Sequence, residues 1–271
     1  MCFSKEVQLT TSLLIFGCVL IYYFYWSKKL KNHHRKWLLP FLNNLLLGFA
    51  FVGGHQFFEF LSIQTGNSFI YKTGLLISLS SMFFFIKALE KLTNTNVHGT
   101  IALIFVALIA LFIYLTPVSF GIKSFYLQHE SAFFWAFAWM VLFSYWHLCA
   151  IYIIRKYREP ESAKASIVWM LLAGLDLSFI LSTIYTIIGY FKFGVNVCYD
   201  APSIWCTFFV IQVLIVPLFL RKHLQIHKPK KSHEIRTKDW VIILLASIAI
   251  IALAASLLPF FDCLSLKFVF P

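Results

Sequence analysis

The chain has 271 residues, 60% hydrophobic and only 13% charged, with a net charge of +12. A soluble domain carries about 25% charged residues, so this composition excludes a monomer dissolved in water. Crossing a roughly 30 Å hydrocarbon layer takes about 20 apolar residues. Eight crossings use up the length and leave no connection large enough for an independent extramembrane domain.

Apolar runs occupy residues 9–26, 37–60, 68–89, 101–120, 132–154, 166–190, 202–220 and 240–260. They predict an all-α polytopic bundle of eight transmembrane helices, because hydrocarbon offers the backbone no other partners. Residues 1–271 read as one transmembrane domain: a seven-helix core and a more peripheral eighth helix, which is almost featureless and follows a basic loop at 221–239 with Pro229 in its middle. Trp26, Trp37, Tyr190, Trp205 and Trp240 sit near run ends, where amphipathic rings favour the interface. The first run reads as a retained helix and not a cleaved leader, since Glu6 precedes it and the lysines follow it.

Charge sets the expected orientation. Connections 27–36, 155–165 and 221–239, together with Lys87 and Lys91, hold 18 of the 23 Lys and Arg residues. The positive-inside rule makes that side cytoplasmic and puts both termini outside. The net charge then serves topology and contact with anionic lipid head groups. Nucleic acid is not an expected partner, because the basic residues form juxtamembrane clusters instead of one basic domain face. With this topology Cys2, Cys198, Cys206 and Cys263 fall on or near the outer side. Cys198–Cys206 and Cys2–Cys263 disulfides are open there, and so are free thiols.

Ionisable groups inside the apolar runs point to function, because each costs roughly 2.5–3.5 kcal/mol at mid-membrane. The second run carries Gly53-Gly54-His55-Gln56-Phe57-Phe58-Glu59. His55 and Glu59 are one helical turn apart, and the glycines invite close approach by another helix. Gln64-Thr65-Gly66-Asn67 reads as a tight turn, making spans two and three a hairpin. That hairpin sets Glu59 and Lys72 at equal depth as an expected ion pair, with His55 opposite Ile77 and Ser78. His55, Gln56 and Glu59 are candidates for holding a proton, a metal or a polar ligand. As metal ligands His55 and Glu59 supply two groups where zinc takes at least three. The plainer reading is a structural clasp with hydrogen bonds between helices.

Asp176 lies near the middle of span six, and His147 in the inner half of span five. Their expected difference in depth, about 7 Å at 1.5 Å per residue, leaves room for a bridging water or hydroxyl. Ser78, Ser80 and Ser81 suit either a polar lining or helix packing, the latter being favoured. Lys87 and Glu90 are expected to snorkel or pair locally. His223 and His227 have metal-ligand spacing but sit among lysines, as a solvated juxtamembrane face would. The sequence holds no phosphate-binding loop, nucleophile elbow or Cys-x-x-Cys pair. It names no cofactor.

Met1-Cys2-Phe3-Ser4, with Gly54-His55-Gln56 followed by Glu59, resembles a family of small multi-pass bacterial membrane proteins of unassigned function. The likeness covers the first two or three helices. It implies a bacterial inner-membrane protein whose shared pattern includes Cys2, His55, Gln56 and Glu59. A second resemblance is to seven-helix intramembrane metal hydrolases of the alkaline ceramidase and adiponectin-receptor type, through His223 and His227. His55, however, is expected in the opposite half of the bilayer, about 20 Å or more away. Three function classes follow. The first is a non-enzymatic protein binding or translocating a small solute or ion past His55, Gln56, Glu59, Lys72, Ser78, His147 and Asp176. The others are a membrane-embedded metal-dependent lipid hydrolase and a sensor or assembly subunit.

Overall fold

Six long α-helices follow one another in a computed structural model that describes residues 5–31, 38–93, 95, 97–116, 130–157, 163–193 and 209–214. They are α1 (Lys5–Lys31), α2 (Leu38–Thr65), α3 (Ser68–Thr93), α4 (His98–Leu115), α5 (Glu130–Lys156) and α6 (Ala163–Phe193). Residues 209–214 are also helical, and no strand occurs among the described residues. Five segments are long and apolar enough to cross a membrane: Gln8–Lys31, Leu38–Thr65, Ser68–Thr93, His98–Leu115 and Phe137–Lys156. They correspond to the first five expected spans, and α6 covers the sixth. The helical residues 209–214 fall inside the seventh. The eighth span, the 221–239 loop with His223 and His227, and Cys2, Cys198, Cys206 and Cys263 lie outside the described residues.

Local chemistry explains the breaks. Pro40 sits in the first turn of α2, where backbone N–H groups have no intrahelical acceptor to lose. Gly66 takes a φ of +65° and its N–H bonds Ser62 O at 2.8 Å, closing α2 in the left-handed conformation that only glycine adopts cheaply. Asn67 then caps α3, its Oδ1 accepting from the N–H of Phe69 at 2.9 Å. The expected turn at 64–67 is therefore a helix stop followed directly by a helix start.

α3 is the centre of the bundle, packing against α2, α4 and α5, while α1 packs on α2 and α6 on α5. The last turns of α1, α3 and α5 carry Lys28, Lys29 and Lys31, Lys91, and Arg155 and Lys156. Alternating helix direction gathers these at one end, the basic end. Both expected close approaches are made, by different neighbours. A Cβ on Gly53 would lie 2.9 Å from Ile15 of α1, and one on Gly54 3.2 Å from Ile77 of α3. Outward-facing Leu13, Leu20, Phe24, Leu108 and Leu148 are each at least half exposed. So much bare apolar surface suits a lipid environment.

α4 is held at both ends by charges from α3. At its start the Gly99 N–H donates to Glu90 Oε1 at 2.9 Å, while Lys87 Nζ neutralises Glu90 Oε2 at 2.9 Å. At its end Lys72 Nζ donates to the carbonyls of Tyr114 at 2.9 Å and Thr116 at 2.5 Å. An acid at the N-terminus and a cation at the C-terminus complement the helix dipole and satisfy groups with no partner inside the helix. Lys72 therefore serves α4, and the ion pair expected between Glu59 and Lys72 is replaced by this clamp. Sequence depth speaks only to position along the hairpin. Rotation about α3 decided which neighbour the ammonium met.

Candidate functional site

Polar side chains collect between α1, α2 and α3, away from the basic end. His55 and Gln56 are fully buried and Glu59 is 2% exposed. Depth along the hairpin had placed His55 opposite Ile77 and Ser78, one turn on from Gly74. Its Nδ1 meets the carbonyl oxygen of Gly74 at 2.9 Å. Gly74 permits this approach, since a Cβ there would stand 3.2 Å from Phe58 Cβ and 3.5 Å from the imidazole itself. Gly74 is a position that reading the sequence missed. Its one signal was a glycine on span three facing a histidine across a short hairpin.

A carbonyl oxygen only accepts, so Nδ1 carries a hydrogen and Nε2 is the nitrogen left to exchange one. Nε2 lies 3.6 Å from Glu59 Oε2, with the two side chains 0% and 3% exposed. Two bare lone pairs facing each other in a dry interior repel, so this pair is built to hold one proton, on the ring or on the carboxyl. The separation exceeds hydrogen-bond length, so no closed bond between these two atoms fixes which of them carries it.

α1 adds groups that sequence reasoning passed over. Gln8 and Ser12, each 0% exposed, occupy the same face as Ile15. Ile15 packs on Gly53, and the Ser12 carbonyl lies 3.6 Å from the Cβ position of that glycine. α1 and α2 are antiparallel, so moving back along α1 to Gln8 corresponds to moving forward along α2 to Gln56. Gln8 Nε2, Gln8 Oε1 and Ser12 Oγ have no hydrogen-bond partner among the described residues. Buried amide and hydroxyl groups in that state are costly, roughly 1–3 kcal/mol each, and call for an explanation. The signal for them was faint: Gln8 and Ser12 share a helical face, but within the polar stretch Gln8-Leu9-Thr10-Thr11-Ser12 at the start of the first run.

The other candidates are distributed elsewhere. Ser78 Oγ accepts from Trp139 Nε1 of α5 at 3.1 Å. Ser80 Oγ and Ser81 Oγ bond the carbonyls of Leu76 at 2.8 Å and Ser78 at 2.6 Å on their own helix. His147 and Asp176 meet directly, with Nε2 to Oδ1 at 2.8 Å, so the gap expected between them is closed without a bridging group. His147 Nδ1 bonds Phe143 O at 2.8 Å. This second histidine–carboxylate pair joins α5 to α6 and is more open, its side chains being 24% and 47% exposed. Gln212 Nε2 donates to Ser178 Oγ at 3.2 Å, joining α6 to the helical segment 209–214.

Over the described residues the chain is all-α, with five segments long and apolar enough to span a membrane. No group of three or more His, Cys, Asp or Glu able to hold a metal occurs among the described residues, so His55 and Glu59 gain no third ligand there. No family model, no curated protein and no solved structure matches this chain.

Proposed function

We propose that this chain is a multi-pass inner-membrane protein that binds and moves a small polar solute or ion, with His55 and Glu59 as its proton-holding recognition pair. One observation carries the reading. A buried imidazole with Nδ1 committed to Gly74 leaves Nε2 and the Glu59 carboxyl to share a proton, beside a helix face bearing Gln8 and Ser12 polar atoms with no hydrogen-bond partner among the described residues. Nothing in packing alone requires such groups in a helix interface, where polar atoms are costly unless they are used. An amide offers donors and an acceptor, and a hydroxyl offers both. The matching solute is small, carries both donors and acceptors, and exchanges a proton on binding or release. His147–Asp176 forms a second proton-holding station on α5 and α6.

In this reading the basic end is cytoplasmic, both termini are outside and the chain crosses the membrane eight times. The resemblance carried by Met1-Cys2-Phe3-Ser4 and the His55–Glu59 motif supports the bacterial inner-membrane assignment. Purified protein in liposomes enclosing a pH-sensitive dye tests the function. Under an imposed pH gradient, wild type dissipates the gradient faster than empty liposomes, and Glu59→Gln does not. A wild type indistinguishable from empty liposomes, or a Glu59→Gln variant indistinguishable from wild type, counts against it. The competing class, a metal-dependent lipid hydrolase, would instead show stoichiometric zinc in the purified protein.

A further inference from the structure

A separate cavity of about 250 Å³ lies near the basic end, bounded by α3, the start of α4 and α5. Its lining includes Ile86, Glu90, His98, Tyr145, Cys149 and Tyr152. The walls are almost wholly apolar. Glu90 already accepts from the Gly99 N–H at Oε1 and is ion-paired with Lys87 at Oε2. His98 Nδ1 meets Tyr145 Oη at 2.6 Å, leaving Nε2 as the ring's remaining polar atom on a residue lining the cavity. The volume falls just below the roughly 300–1,000 Å³ of drug-sized sites, which suits one chain end better than a bulky solute.

Two further facts identify the occupant. Leu148 and Tyr152 also line the cavity and are 65% and 54% exposed on the outer flank of α5. The cavity therefore adjoins the surface that lipid would cover. At its rim Lys156 Nζ sits 5.8 Å from the Tyr152 ring centroid, within cation–π range, and Arg155 beside it is exposed. An apolar slot facing lipid, with a cation one turn nearer the head-group level, is complementary to an acyl chain ending in a negative charge.

We propose that this cavity binds one acyl chain of an anionic phospholipid, with the head group on Lys156 and Arg155 and an ester carbonyl within reach of His98. The inference does not depend on the solute pathway: the cavity shares α3 and α5 with it, but neither His55, Glu59 nor His147 lines the cavity. Native mass spectrometry of the full chain in detergent, supplied with equal phosphatidylglycerol and phosphatidylcholine, tests it. Wild type should retain phosphatidylglycerol about 25-fold over phosphatidylcholine, the preference that two basic side chains near the head groups provide at about 1 kcal/mol each. Lys156→Gln should lower the preference to about fivefold, Lys156→Gln with Arg155→Gln should bring the two lipids to parity, and Cys149→Trp, which fills the slot, should lose both. Because the tryptophan variant risks misfolding, alkylation of Cys149 by N-ethylmaleimide in wild type gives a second readout, and phosphatidylglycerol should slow it. Equal retention of the two lipids by wild type would overturn the proposal, as would Lys156→Gln keeping the full preference. Cys149 alkylated at one rate with and without lipid, or protected by oleate alone, would do the same.

Discussion

The molecule contains two histidine–carboxylate pairs built on one plan and finished differently. In both, Nδ1 is committed to a backbone carbonyl and Nε2 is turned to an acid. His55 finds its carbonyl on a neighbouring helix and its acid one turn along its own. His147 finds its carbonyl one turn back on its own helix and its acid on a neighbour. The first pair is dry and stands open at 3.6 Å, whereas the second is partly exposed and closed at 2.8 Å. A closed pair fastens two helices and fixes its proton. An open one leaves the proton exchangeable and its helix free of that fastening. The two pairs differ in which helix supplies the acid: the i,i+4 pair along α2 stays open, and the pair across the α5–α6 interface closes to contact.

Removing the carboxylates tests this difference most severely. Glu59→Gln should lower proton flux by about 100-fold or more, the scale of losing a positioned proton-transfer group, while Asp176→Asn should lower it far less. Equal losses in liposome flux would erase the distinction between exchangeable and fastening pairs.

Next in size is the support for the open pair. Gly74→Leu should destabilise the protein by about 1–3 kcal/mol through overpacking against Phe58 and His55, measured by denaturant titration in micelles. It should also abolish flux by displacing the imidazole. A stable, fully active leucine variant would mean that the Gly74 carbonyl does not set the His55 tautomer.

Double-mutant cycles sharpen the comparison further. Coupling between His147 and Asp176 should reach about 1–2 kcal/mol. That is above the roughly 0.6 kcal/mol average for polar contacts in membrane bundles, and His55 with Glu59 should couple more weakly. The reverse order would contradict the geometric argument. The smallest expected effect is that of Lys72→Met, about 1 kcal/mol of stability from the unclamped end of α4, with Glu59-dependent flux unchanged. Loss of flux in that variant would return Lys72 to the side of Glu59.

Much of the architecture was legible beforehand. The first five spans, the Gly66–Asn67 turn and the interhelical use of Gly53 and Gly54 follow from apolar length and small-residue chemistry, both local properties. The partners of the polar residues were not legible. Lys72 was matched to Glu59 because depth along a hairpin can be counted, yet its ammonium reaches α4. The distance between His147 and Asp176 was overestimated, since axial spacing ignores the length and tilt of two side chains. Gln8 and Ser12 lie in a polar stretch at the start of the first run, where a buried face cannot be told from an interfacial one by sequence. The His98–Tyr145 bond joins residues from α4 and α5, and no spacing rule connects them.

By itself the sequence determined that the described chain forms long apolar helices, where they turn, and which end gathers the lysines. Each of these is set by residues within one or two turns of one another. Only the tertiary structure decided which carbonyl fixes each imidazole, which charge clamps α4 and where a cavity remains. Those outcomes depend on the rotation of each helix about its own axis, and that is settled by packing against neighbours distant in the chain.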